Sequence, residues 1–201
     1  RGLTVTYEKN VRALRDVCVT LDRGETLGVV GESGSGKSTL ANALLRLNEL
    51  ENGVIFLEGI DFTALRGNNL RTMRQKIQGV FQDPSSSLNP RKRVVDIVVD
   101  PIVANGLGKN TDKWRLGGEF CQEAGLDESF LQRYPGELSY GERQRVAIAR
   151  SLGTSPSILV CDEPLASLDV TTGLKLLRLF LDLRRRRELA YVFISHDLKT
   201  I

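Results

Sequence analysis

Residues 31 to 39 read GESGSGKST, and how they are read decides the fold. The run fits the spacing G-x-x-x-x-G-K-[ST], opened by Gly31 and closed by Lys37 and Ser38. TLGVVG, a short β-branched run, leads into it, and a stretch with helical patterning follows from about Lys37 to Leu47. Strand, glycine-rich turn and helix start, in that order, are the context this spacing requires. The glycines let backbone N–H groups converge on phosphate oxygens with no Cβ in the way. In that arrangement Lys37 reaches the β and γ phosphates, and the Ser38 hydroxyl ligates Mg²⁺. Gly31, Ser33, Gly34, Ser35, Gly36, Lys37, Ser38 and Thr39 are therefore the candidate nucleotide cradle.

Around this loop the first sixty residues are β-rich: GLTVTY alternates, VCVTL is β-branched, and GVIFLEG follows a turn at Asn52-Gly53. From about Ser85 to Gly153 the pattern turns helical and loop-rich, punctuated at Asn89-Pro90, Asn105-Gly106 and Tyr134-Pro135, as an inserted helical lobe would be. SILVCD (157–162) and AYVFISH (190–196) are then apolar enough to be buried on both faces of a parallel sheet. Between them Leu174, Leu177 and Leu181 recur at helical spacing, so strand, helix and strand form a βαβ unit and the core is expected to be α/β. The run Arg184 to Arg187 ends that helix and reads as a solvated face favourable to a helix C-terminus.

The 201 residues suffice for one sizeable core, or a core with an inserted lobe. With 41% hydrophobic and 26% charged residues the composition is ordinary, and a net charge of +3 does not argue for nucleic acid. The most apolar run, VVDIVVDPIVANGL, is broken by Asp96, Asp100 and Pro101, and no run approaches the ~18 residues that span a bilayer. No signal segment opens the chain. Cys18, Cys121 and Cys161 are widely separated, which reads as reduced thiols rather than a zinc site or disulfide framework. Because it starts at Arg1 and stops soon after a strand-like run, the chain is expected to be one domain of a longer protein whose C-terminal part is missing.

Several residues carry further chemistry. Asp162 ends an apolar strand, where its carboxylate sits near the Mg²⁺. Glu163 follows and, past the strand end, is placed to polarise an attacking water as general base. His196, the single histidine, comes directly after the second buried strand, so it falls at the same sheet edge. Gln82 follows the strand-like IQGVF at the hinge into the helical lobe; contact with Mg²⁺ or the attacking water and a plain polar loop residue are both open readings. Tyr7 ends the first strand, either as a stacking face for an adenine ring or as a core aromatic. Ser139-Tyr140-Gly141-Glu142 has the form of a capping box. Gly141 in the first turn costs roughly 1 kcal/mol relative to Ala, which makes sense if a phosphate approaches that helix start.

Taken together these residues resemble the ATP-binding cassette (ABC) family across essentially the whole chain. GESGSGKS matches the Walker A motif, ILVCDE Walker B, Gln82 the Q-loop, Ser167-Leu-Asp169 the D-loop and His196 the switch histidine, while LSYGE occupies the place of the signature LSGGQ. The resemblance implies a P-loop NTPase core with a mainly parallel sheet, an N-terminal antiparallel β subdomain and an inserted α-helical subdomain. Residues 1–82 and 154–201 would form the core, and 83–153 the insert with the signature. It implies ATP and Mg²⁺, the latter held by Ser38, Gln82 and Asp162, with Glu163, His196 and Gln82 catalytic. Two such cassettes pair head to tail in the family, so Ser139, Gly141 and Glu142 would complete the partner cassette's site and Asp169 would lie at the dimer seam.

Tyr140 departs from the pattern by standing where the family usually has the first signature glycine. The segments FQDPSSSLNPRKRVVDIVVDPI and RYPGELS are similar to those of dipeptide, oligopeptide and nickel importers. That similarity implies a peripheral subunit at the cytoplasmic face of the inner membrane. Its partners would be two permease subunits and, through them, an extracytoplasmic binding protein; no nucleic acid is expected. A soluble non-transport ATPase and a weakly hydrolysing regulatory cassette are the alternatives.

Overall fold

A computed structural model of the chain describes residues 1–7, 11–106 and 112–197. Its centre is a four-stranded, all-parallel sheet: β3 (Thr26–Val30), β6 (Ile77–Val80), β7 (Ile158–Asp162) and β8 (Ala190–Ser195), in the spatial order β3-β8-β7-β6. The register pairs Val30 with Ser195, Asp162 with Ile194 and Val80 with Cys161, so the carboxyl ends of the strands form one edge. Before the sheet, β1 (Leu3–Tyr7) and β2 (Val11–Val17) pair antiparallel, and β4 (Phe56–Leu57) and β5 (Ile60–Asp61) form a second antiparallel hairpin.

Helices cover both faces. On one side lies α1 (Lys37–Leu44) with the N-terminal β layer; α2 (Gly67–Arg74) leads into β6. Between β6 and β7 come α3 (Pro84–Ser87), α4 (Val94–Ala104), α5 (Lys113–Glu123) and α6 (Tyr140–Leu152), with 3₁₀ turns at Glu128–Gln132 and Pro135–Glu137. The long α7 (Val170–Arg187) joins β7 to β8.

The two-residue period of the central strands divides the core between the faces. Leu159, Cys161, Tyr191 and Phe193 pack with α4, α6 and α7, while Val160, Val192 and Ile194 pack with α1 and the β layer. Strands buried on both sides must be apolar throughout, which is why SILVCD and AYVFIS carry no alternation. Phe180 stands edge-on to Tyr191 and Phe193 at ring distances of 5.7 and 5.6 Å, which seats α7.

The helix expected between SILVCD and AYVFISH is α7; Leu176, Leu179, Phe180 and Leu183 enter the core, while Leu174 and Leu181 are exposed. The helix is leucine-rich on both sides, and contact with β8 rather than period selects the face. Two expectations from the sequence change. The strand expected at VCVTL lies earlier, with only Val17 in the β2 ladder; Val19 and Leu21 instead line an apolar cavity beneath the β layer. Of GVIFLEG only Phe56–Leu57 is strand, because the segment turns back at once through Glu58-Gly59. The apolar run at 94–104 is a core helix, its acids neutralised at the surface by Lys113 to Asp96 at 2.9 Å and Lys92 to Asp100 at 2.6 Å.

Candidate functional site

The loop 31–36 connects β3 to α1 at the carboxyl edge of the sheet. Gly36 is the N-cap of α1 with φ +95°, and a Cβ there would come 2.4 Å from the Ala13 carbonyl oxygen, so β2 presses directly against the helix start. That start is bare: no side chain caps it and its first turn holds no acid. Its leading N–H groups and helix dipole face an incoming anion without competition. The buried Lys37 ammonium donates to the Gly31 and Glu32 carbonyls at 2.7 Å each, which keeps the charge within the loop. Ser33, Gly34, Ser35 and Ser38 are exposed and Thr39 is buried. Tyr7 reaches this turn: its hydroxyl lies 3.2 Å from Thr39 Oγ1 and accepts from Asn48 Nδ2 at 2.7 Å. Although 44% exposed, the ring is thereby fixed against α1.

Asp162 closes β7 beside this loop. It is 8% exposed, and its Oδ1 has no hydrogen-bond partner among the described residues. Burial pushes its carboxyl above the ordinary range; the Ser38 hydroxyl draws it back, the charge of Glu163 adds to the rise, and Lys37 opposes it. A buried anion with an unpartnered oxygen next to a hydroxyl is the donor set that a hard divalent cation takes. Magnesium thus fits Ser38 and Asp162, with the exposed Gln82 at the end of the neighbouring strand as a further oxygen donor.

Glu163 stands one residue beyond β7 at φ +49°, a left-handed conformation that non-glycine residues seldom adopt. Its N–H donates to the Ile194 carbonyl at 3.0 Å, which locks the strained residue to β8. His196 Nδ1 donates to Glu163 Oε2 at 3.1 Å. A carboxylate only accepts, so Nδ1 carries the proton and Nε2 is left as the ring's open nitrogen. Two groups 33 residues apart in sequence are thus brought together by the β7–β8 register.

Ser139 caps α6 in a full capping box: its hydroxyl accepts from the Glu142 N–H at 3.4 Å, and its own N–H donates to Glu142 Oε2 at 2.7 Å. Both ends of the motif are therefore engaged within the chain, unlike the bare start of α1. Gly141 also has an intrachain reason, since a Cβ there would meet Thr172 Cγ2 at 2.8 Å where α6 crosses the start of α7. Asp169 caps α7, accepting from the Thr172 N–H at 3.0 Å, and is exposed; the Thr172 hydroxyl and N–H hold its carboxyl below the ordinary range.

Sequence spacing missed Gln144, Ser151 and Thr154. These side chains of α6 and the turn after it donate to the Phe81, Gly79 and Gln75 carbonyls at 3.2, 3.1 and 3.0 Å. The available signal was Gln144 four residues after Tyr140, on one face of the same helix; its full burial emerges only in the fold.

Residues 14–166 match the family model described as ABC transporter. The chain is 43% identical over 191 residues, 95% of its length and 54% of the relative's, to the probable peptide ABC transporter ATP-binding protein y4tS of Sinorhizobium fredii. It is 41% identical over 208 aligned positions to the dipeptide transport ATP-binding protein DppF of Lactococcus lactis, covering 67% of that protein. The chain therefore spans about half to two thirds of these relatives. Among solved structures, the dimeric post-hydrolysis state of the ATP-binding cassette MJ0796 bound to ADP and Pi superposes with a TM-score of 0.89 at 32% identity, over all of this chain and 88% of that one. With matched motifs, matched fold and a family model spanning most of its residues, the chain belongs to the ABC transporter family.

Proposed function

We propose that this chain is the ATP-binding and ATP-hydrolysing subunit of an importer for peptides or related small solutes. It works as one of two head-to-tail cassettes mounted on membrane permease subunits at the cytoplasmic face. One observation carries the catalytic part: a bare helix start, a buried unpartnered Asp162 oxygen and the Glu163–His196 pair converge on one sheet edge. The loop and Lys37 hold the triphosphate, with Tyr7 as a face for the base. Held by Ser38, Asp162 and Gln82, magnesium would offset charge on the phosphate oxygens. Glu163 takes a proton from the attacking water, and His196, fixed by the same carboxylate, presents Nε2 as an acceptor that helps orient that water.

The strand order supports two cassettes. β3, which feeds the phosphate loop, and β6, which feeds Gln82 and holds α6, are the outer strands of the sheet. At about 4.8 Å per strand their ends lie about 14 Å apart, so the phosphate loop and the α6 start sit on opposite flanks of the sheet, as helix starts serving two separate nucleotides would. The solved dimer of a similar cassette and the names of the peptide-transport relatives support the pairing and the solute class. No helix among the described residues is long and apolar enough to cross a membrane.

The test is Glu163→Gln. ATP binding is expected to survive while turnover falls about 10²–10⁴-fold, the usual contribution of a positioned base. Phosphate release at the parent rate would remove Glu163 from the mechanism.

A further inference from the structure

Tyr140 is the residue the family pattern leaves unexplained, and its surroundings give it a task. It opens α6, and its phenol donates to the Gln82 carbonyl oxygen, 58 residues away in sequence. Asp83, the Ser167 hydroxyl and Arg143 also act on the phenol; burial first, then the Asp83 charge, push its ionisation up, and Ser167 and Arg143 only partly oppose them, so it remains a donor at neutral pH. The bond does not stand alone. Tyr140, Gln144 and Ser151 lie within about 40° of one another around α6, and they donate to Gln82, Phe81 and Gly79 in turn. Arg150 adds a bond from another side of the helix to the Ser87 carbonyl.

This ladder runs from the end of β6 into the Gln82 loop. Its lower rungs hold strand and helix; the topmost, Tyr140, is the one that grips the carbonyl of Gln82 itself. A glycine at position 140 has no atom to make that bond. Gly141 packs on Thr172 and Ser167 faces the phenol, so the loop that follows Glu163 meets the same helix start. Three segments thus converge on one ring: the loop of the chain's own nucleotide site, the loop after its general base, and the helix start that faces the second nucleotide.

We infer that Tyr140 is a positioning residue that couples the two nucleotide sites of the paired cassettes: movement of the Gln82 loop when the chain's own site fills is transmitted through the phenol to Ser139 and the α6 start. This rests on the two-cassette reading above. Occupancy of one site then biases the other, which is what a coupling between sites means.

The experiment compares the parent protein, in its assembled two-cassette form, with Tyr140→Phe and Tyr140→Gly. Amide hydrogen exchange is followed with and without ATP and magnesium at residues 31–39, 80–83 and 139–144. In the parent, nucleotide is expected to slow exchange at all three segments. In both variants protection at 31–39 is expected to persist, while protection at 139–144 falls about fivefold or more, the lower edge of ordinary coupling between sites. The cooperativity of ATP hydrolysis should fall with it. A merely structural role would raise exchange equally with and without nucleotide, and that result overturns the proposal. Equal nucleotide-induced protection in the parent and Tyr140→Phe, with loss only in Tyr140→Gly, overturns it as well, because ring packing rather than the phenol would be responsible. Absence of protection at 31–39 in the parent would instead strike at the nucleotide reading itself.

Discussion

At the scale of single residues, Asp162 shows how function and stability oppose each other. Its carboxylate is buried with one oxygen unpartnered, and burial raises its pKa in the fold. A raised folded pKa favours the fold only where pH is low enough to protonate the group, and that contribution is lost as pH climbs through the folded value. At neutral pH the nucleotide-free fold disfavours the charged form that the unfolded chain carries. Asp162→Asn should therefore raise the melting temperature of the nucleotide-free chain at pH 7, by about 2–4 °C for each kcal/mol relieved. The gain should shrink toward pH about 4, where the ordinary carboxyl protonates. The same variant should lose magnesium-dependent ATP binding. Melts at the two pH values, with nucleotide titrations, check both halves; a lower melting temperature at pH 7 would mean that neighbouring dipoles already stabilise the charge. Asp162, Glu163 and His196 were legible in the sequence because strand ends are legible. The left-handed backbone of Glu163 and its bond to His196 were not, since both depend on the β7–β8 register.

At the scale of elements, the phosphate loop is set by two glycines that differ in surroundings. Gly34 at φ +82° has open space where a Cβ would go, whereas Gly36 at φ +95° has the Ala13 carbonyl 2.4 Å away. A side chain at Gly34 meets only the left-handed penalty, about 1–2 kcal/mol. At Gly36 the same penalty is joined by a backbone clash that only a shift of β2 or α1 relieves. Gly36→Ala should accordingly lower the melting temperature more than Gly34→Ala and weaken ATP binding by displacing the bare helix start. Paired thermal melts and nucleotide titrations decide it, and equal effects would show that β2 yields freely. Sequence pattern identified the strand, turn and helix here because all three are local. The helix α7 was legible too, but its core face was not, because LKLLRLFLDL offers two apolar faces and only contact with β8 chooses between them. The bonds from Tyr140 and Gln144 to the Gln82 segment escaped for the same reason: their partners lie 58 and 63 residues away.

At the scale of the whole molecule, the sheet puts two helix starts on different flanks: α1 after the outer strand β3, and α6, proposed to face a second nucleotide, held to the opposite outer strand β6. One start is bare and the other carries its own capping box. A lone chain with its triphosphate on the β3 flank would leave the α6 start, on the β6 flank, without a role. Two chains related head to tail give each helix start a nucleotide, and each nucleotide two helix starts. Turnover then belongs to the pair, and its rate has a molecular order. With the chain and its cassette partner, identical or different, at equal concentration and below their dissociation constant, each tenfold dilution of both should lower the total ATPase rate about a hundredfold, because the active species forms from two chains. At concentrations where pairing is complete, the same dilution should lower it only about tenfold. The crossover should coincide with the shift from single to paired mass in sedimentation with ATP. A rate strictly proportional to protein through the concentrations where sedimentation shows only single chains would place both motifs on one nucleotide. The two-cassette reading, and the coupling assigned to Tyr140, would fall together.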